Sequence, residues 1–252
     1  MTHLRSLLIA LVLAACVFPA AAFAQTPIDN RLKAMAASDR VDKAFGSAAI
    51  IVLGRTVNPN EIYPWLVLMG TPEYGMSDEI ANEVDLNGAV KFLKAFIAKP
   101  AGAGLRAELI DRAFLEVHGR NSTPLEQASW DAEVKAGKAY YASIVVKESA
   151  KLNASPALRK EMIQRAYLFA EGRLPYPGDL AFWGGKQEHY REIVEAERKW
   201  LYSPGGAKEL VEVAKRAWKA AYGTVPSDEA LKAVLVRATQ GKMVYAELAK
   251  AL

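Results

Sequence analysis

Gly172-Arg173-Leu174-Pro175-Tyr176-Pro177-Gly178-Asp179-Leu180-Ala181-Phe182-Trp183 decides the fold, because its pattern recurs along the chain. Pro177 lies five residues after Gly172, and Trp183 eleven after it. Gly119-Arg120 carries Pro124 and Trp130 at the same offsets, and Gly54-Arg55 carries Pro59 and Trp65. Upstream, Arg112-Ala113-Phe114, Arg165-Ala166-Tyr167 and Arg216-Ala217-Trp218 sit seven to five residues before Gly119, Gly172 and Gly223. Four glycines therefore anchor four related units, the last of which lacks the second tryptophan.

Each glycine is expected to stop one helix just before another begins. The residue past a helix end turns left-handed, a conformation glycine adopts without a Cβ clash. Asn58 then reads as an N-cap, Pro59 suits the first helical position, and Glu61 completes a capping box. Thr123-Pro124-Leu125-Glu126 repeats that grammar, and Tyr176-Pro177-Gly178-Asp179 keeps the proline and the acid without the cap. In the fourth unit Ser227-Asp228-Glu229 opens the helix after Pro226. Upstream, Leu109/Ile110, Ala113/Phe114 and Val117 form a stripe of helical period, repeated by Met162/Ile163, Ala166/Tyr167 and Ala170. No stretch alternates with period 2 for long enough to mark a strand. The expected class is all-α: tandem helix–turn–helix hairpins in a compact bundle or short solenoid. Each hairpin is clasped by an aromatic ring from one arm and the tryptophan from the other.

Thr71-Pro72, Ser155-Pro156 and Ser203-Pro204 read as joints that launch the next helix. They divide the chain into a leader at 1–24, a polar lead at 25–40, and units at 41–75, 105–155, 156–204 and a degenerate 205–252. The glycine separations of 65, 53 and 51 place extra residues in the first interval, read as a helical insertion and linker at 76–104. Residues 62–69 are apolar all round, which makes them a central core helix or an exposed docking surface. The equally apolar run at 48–53 favours the core.

The start of the chain points to export. A basic lead, the apolar run at 7–13 and Ala22-Phe23-Ala24 form a secretory signal pattern, with cleavage expected after Ala24. Leu13-Ala14-Ala15-Cys16 is a rival lipobox, which would leave Cys16 lipidated and the protein an outer-membrane lipoprotein. The apolar run after Cys16 favours ordinary cleavage and a periplasmic or secreted protein. Cys16 is the only cysteine, so no disulfide is expected beyond it. Without residues 1–24, 31 basic residues face 28 acidic ones, and no dense basic block suggests nucleic acid. No transmembrane segment is expected in the mature chain.

The Gly-Arg…Trp spacing and hydroxyl–proline joints resemble a bacterial domain of unknown function found in tandem in secreted and surface proteins, distantly similar to phycobilisome linker domains. Leu53-Gly54-Arg55 with Trp65 and Thr71-Pro72-Glu73-Tyr74 is one match, and Glu171-Gly172-Arg173-Leu174-Pro175 with Phe182-Trp183 is the nearest to the pattern. The resemblance covers nearly all the mature chain except 76–104. It implies scaffolding or interaction without a defined reaction. The family's aspartate near the turn proline is replaced by Tyr176, and Asn58 and Thr123 stand at that offset in the other turns, so no cation site is carried over.

Chemistry-bearing patterns are sparse. His118 and His189 lie in different units and form no H-E-x-x-H, and no nucleophile elbow, P-loop or G-x-G-x-x-G occurs. Glu192, Glu195 and Glu197 read as a solvated, charged helix face. Arg55, Arg120 and Arg173 are expected to meet the orphan carbonyls beside their glycines. No catalytic, cofactor or metal residues are therefore expected. The chain reads as a non-enzymatic interaction or scaffold module of the cell envelope, with a protein or glycan partner. The alternative is an envelope hydrolase using Asp78, Glu79, Glu83 and Asp85 at the 76–104 insertion.

Overall fold

In the computed structural model, which describes residues 27–76 and 84–252, all regular structure is helical. Thirteen helices form among those residues. A short α1 (Pro27–Ala36) precedes four long helices of 15 or 16 residues: α2 (Asp39–Leu53), α5 (Ala103–His118), α8 (Pro156–Ala170) and α11 (Ala207–Tyr222). Each long helix is followed by a shorter one: α3 (Pro59–Met69), α6 (Pro124–Lys135), α9 (Pro177–Gly184) and α12 (Asp228–Gly241). A third helix then closes each set: α4 (Leu86–Ala98), α7 (Tyr141–Ala154), α10 (Tyr190–Leu201) and α13 (Tyr245–Ala251).

The repeating unit is therefore three helices, not the expected hairpin of two. In every unit the first helix packs most extensively on the third, and the middle helix also packs on the first. This corrects the reading of 76–104 as an insertion, because α4 within it is the third helix of the first unit. The surplus lies between Met69 and Leu86, where 16 residues (70–85) stand in place of five at 136–140 and 185–189. Residues 77–83 of that stretch are outside the described part.

The turns follow the expected grammar. Gly54, Gly119, Gly172 and Gly223 have φ of 67°, 68°, 71° and 74°, each at the end of its unit's first helix. Asn58 with Glu61 and Thr123 with Glu126 form complete capping boxes, and Ser227 caps α12 through Ala230 N. Of the three hydroxyl–proline joints only Ser155-Pro156 opens a helix, Ser155 Oγ accepting from Leu158 N. Thr71 and Ser203 instead donate back to the Leu68 and Trp200 carbonyls, so these two close the preceding segment.

Packing settles two further expectations. Ile62, Trp65, Leu66 and Met69 are buried in the first cluster with Phe45, Val52, Leu53 and Phe92, so the apolar middle helix is core. Of the polar lead, residues 27–36 form α1, whose Leu32 and Met35 join that same cluster. Successive units stack through the first helix of one and the third helix of the next: α2 on α7, α5 on α10, α8 on α13.

Candidate functional site

The signature residues are used at the joins, in three layers. In the first, the arginine after each of Gly54, Gly119 and Gly172 reaches forward, not to the carbonyls at its own helix end. Arg55 forks onto Glu61 at 2.7 and 2.5 Å, Arg120 onto Glu126 at 2.8 Å through both nitrogens, and Arg173 meets Asp179 at 3.3 Å. Each also donates to the carbonyl of the residue after it. The same carboxylates accept the backbone N–H of Asn58, Thr123 and Tyr176, so one acid ties the turn to the start of the middle helix. With Arg120 as its main partner and the Thr123 donors adding to it, Glu126 is held down at about 2.

The second layer joins units. Arg112 donates to the Leu53 carbonyl at 3.1 Å, Arg165 to His118 at 2.7 Å, and Arg216 to Glu171 at 2.7 Å. Each arginine thus meets a helix-end carbonyl of the preceding unit, the residue just before its turn glycine. The orphan carbonyls assigned to Arg55, Arg120 and Arg173 are met by the arginine seven residues before the next glycine.

The third layer is a tyrosine laid on each glycine. A Cβ on Gly54 would fall 2.4 Å from the Tyr141 ring, one on Gly119 2.2 Å from Tyr190, and one on Gly172 2.4 Å from Tyr245. Each tyrosine opens the third helix of the following unit. The glycines are thus required twice, for positive φ and for bare backbone under a ring. Burial pushes the Tyr190 hydroxyl up to about 12.

Against this constant frame one position varies. His118, the residue before Gly119, is buried, and its Nε2 lies 3.1 Å from Glu148 Oε2. Glu148 also accepts from Trp130 Nε1 at 2.9 Å and Lys151 Nζ at 2.6 Å. Burial works against its charge, but these donors outweigh it and hold the carboxyl below its usual range. In the third unit the same two places hold Glu171 and Glu197. Glu197 accepts from Tyr167 Oη at 2.8 Å and Trp183 Nε1 at 3.1 Å, so it is a buried acceptor rather than part of a solvated face. Glu171 is fully buried, and neither of its oxygens receives a directed hydrogen bond. Arg173 Nη2 comes within 2.6 Å of Oε2 without the direction of one. Burial pushes Glu171 up to about 8, Arg173 opposing and the Glu197 carboxylate adding to the rise.

These residues floor an open cleft of about 530 Å³, walled by Phe182, Lys186 and Trp200. The Lys186 ammonium lies 4.0 Å over the Phe182 ring and 5.0 Å over Trp183. Chemically the cleft offers a buried carboxyl that holds its proton, with a second buried acid and aromatic rings in the same lining.

No family model, curated protein or solved structure matches this chain.

The expected aromatic clasp takes a different form in each unit. Phe45 and Trp65 meet ring to ring at 5.5 Å, Trp183 hydrogen-bonds to Tyr167, and Phe114 lies against His118 while Trp130 turns to Glu148. All three tryptophans are buried. His189 caps α10, with its ring against Ser149 Oγ. Of the proposed hydrolase acids, Asp85 is the N-cap of α4, accepting from Gly88 N at 2.8 Å. Asp78, Glu79 and Glu83 lie outside the described residues, as do Cys16 and the leader. Among the described residues no cluster of three His, Cys, Asp or Glu could hold a metal ion, and no helix is long and apolar enough to cross a membrane.

The residues missed in the sequence are Tyr141, Tyr190 and Tyr245, and the acid Glu148 seven places after the first; Glu197, seven after the second, reads in the sequence as a surface acid. The tyrosines follow their own unit's glycine by 22, 18 and 22 residues, a signal blurred by the short middle helix of the third unit.

Proposed function

We propose that this chain is an exported, non-enzymatic helical-repeat module of the cell envelope that scaffolds contacts with a protein or glycan partner. One observation carries this reading. The residues of the repeated signature build turns, fill the core of each unit and join units, leaving the variation to the surface and to one buried pair. Repeat stacks of this kind present extended faces to partners. The turn edge offers such a face, since Leu125 is 82 % exposed and Val225 80 %, with Leu174 and Tyr176 also open on that edge. Export through a cleaved leader, and kinship with the tandem bacterial domain, belong to the same proposal.

The test is photo-crosslinking in producing cells with a photoreactive residue in place of Leu125. The proposal expects a discrete envelope adduct that persists when Glu171→Gln and Glu197→Gln are combined. Turnover of envelope polysaccharide into soluble fragments by the purified chain, abolished by Glu171→Gln, would replace it with a hydrolase reading.

A further inference from the structure

Three turn glycines are covered by the next unit, and the fourth is not. A Cβ on Gly223 would meet nothing within 4 Å, although its φ of 74° matches the others. The two residues before the glycine are buried in the first three units: Val52 and Leu53, Val117 and His118, Ala170 and Glu171. Their counterparts Ala221 and Tyr222 are exposed, as is Ala220. Terminal repeats of a stack ordinarily close with a polar outer face. Here the last unit shows small and aromatic side chains around a bare glycine, the surface that elsewhere receives a tyrosine ring.

What covers that surface is visible three times in the same molecule. It is a helical unit with an arginine seven residues before its own turn glycine and a tyrosine opening its third helix. None of the four units at 41–252 is free to play that part. Its second, third and fourth units have committed their arginine and tyrosine to the unit before them. The first unit carries Ser47 and Leu86 at the corresponding places, both exposed. A second copy could therefore offer neither the carbonyl clamp nor the ring.

We infer that the Gly223 end is a docking socket for a further helical unit of the same design, outside the four at 41–252, one that supplies the arginine and tyrosine absent from residues 47 and 86. This rests on the reading of the protein as an interaction module and names the face and the chemistry of its partner. The stack would continue across the junction, the partner's arginine reaching the Tyr222 carbonyl and its tyrosine lying over Gly223.

The full-length chain itself provides the probe. Ser47→Arg combined with Leu86→Tyr gives the first unit the two missing groups at exposed positions, where the fold tolerates them. In sedimentation velocity the wild-type chain should remain monomeric. The double variant should associate head to tail, its average mass rising with concentration to roughly twofold or more, as open heterologous contacts do. Adding Gly223→Asn keeps a residue that adopts the left-handed conformation but places a side chain under the incoming ring, and should restore the monomer. A double variant that stays monomeric overturns the socket, and so does association that survives Gly223→Asn. Wild-type association abolished by Gly223→Asn would overturn the partner assignment in favour of a second copy. None of these outcomes bears on the adduct at Leu125, which reads the turn edge rather than the end of the stack.

Discussion

Glu171 answers to opposing demands: its backbone carbonyl receives Arg216 from the next unit while its carboxyl is buried against Glu197. An unfolded glutamate releases its proton near 4.5, whereas the folded chain keeps this one to about 8. Between those values the unfolded state binds fewer protons, so Glu171 lowers stability progressively as pH rises through the window. Glu171→Gln keeps a donor for Glu197 and removes the titration. Urea denaturation should show the variant gaining on the wild type between pH 5 and 8.5 by an amount on the order of a few kcal/mol; parallel pH profiles would contradict a Glu171 carboxyl raised by burial. Glu126 behaves in the opposite sense. Held down at about 2, it contributes stability above about 4.5 that is lost as pH falls through the window to 2. Glu126→Ala removes the Arg120 fork and half the capping box, and should cost about 1–2 kcal/mol at pH 7. Glu126→Gln, which can still cap, should cost less, and equal losses would show that the cap contributes little.

At the scale of the element, the join between neighbouring long helices is the arginine clamp. Arg165 comes within 2.7 Å of the His118 carbonyl at the end of α5, and a methionine there keeps most of the apolar stem but leaves the carbonyl without its donor. Arg165→Met should cost about 1–3 kcal/mol in denaturant unfolding and raise amide exchange at the α5 and α8 ends first. A loss spread evenly over the chain would contradict a local clamp. The sequence showed these arginines as part of a recurring triplet, and it showed the turns, because glycine, proline and capping acids act on residues near in sequence. Capping at Asn58 and Thr123 follows from three or four adjacent residues. The third helices were harder to see. α7 and α10 begin after breaks of the same length, but the stretch before α4 is more than twice as long. A fixed offset from the glycine could not reveal Tyr141 and Tyr190 as equivalents. Their partners lie across unit boundaries, about 70–90 residues away, where no local pattern reports them.

As a whole, the molecule is a stack in which each of the first three units is completed by its successor. Stability in such an array is close to a sum of unit terms and nearest-neighbour interfaces. The last junction is made by Tyr245 on Gly172, by Arg216 on the Glu171 carbonyl, and by the Arg198–Glu247 fork at 2.7 and 2.8 Å. Tyr245→Ala should therefore loosen 207–252 ahead of the rest, seen as amide exchange rising there while the cluster around Phe45 and Trp65 stays protected. Uniform loosening would mean that the units do not act as neighbours in a row.

The most direct measurement is a double-mutant cycle between Gly119 and Tyr190 by urea denaturation. Gly119→Ala adds a Cβ 2.2 Å from the Tyr190 ring as well as left-handed strain, and should cost roughly 3–5 kcal/mol. In a Tyr190→Ala background only the strain remains, and the same change should cost about 1–2 kcal/mol. A coupling of at least about 1 kcal/mol is the predicted result; costs that simply add would contradict units joined by a tyrosine laid on the turn glycine of the unit before it.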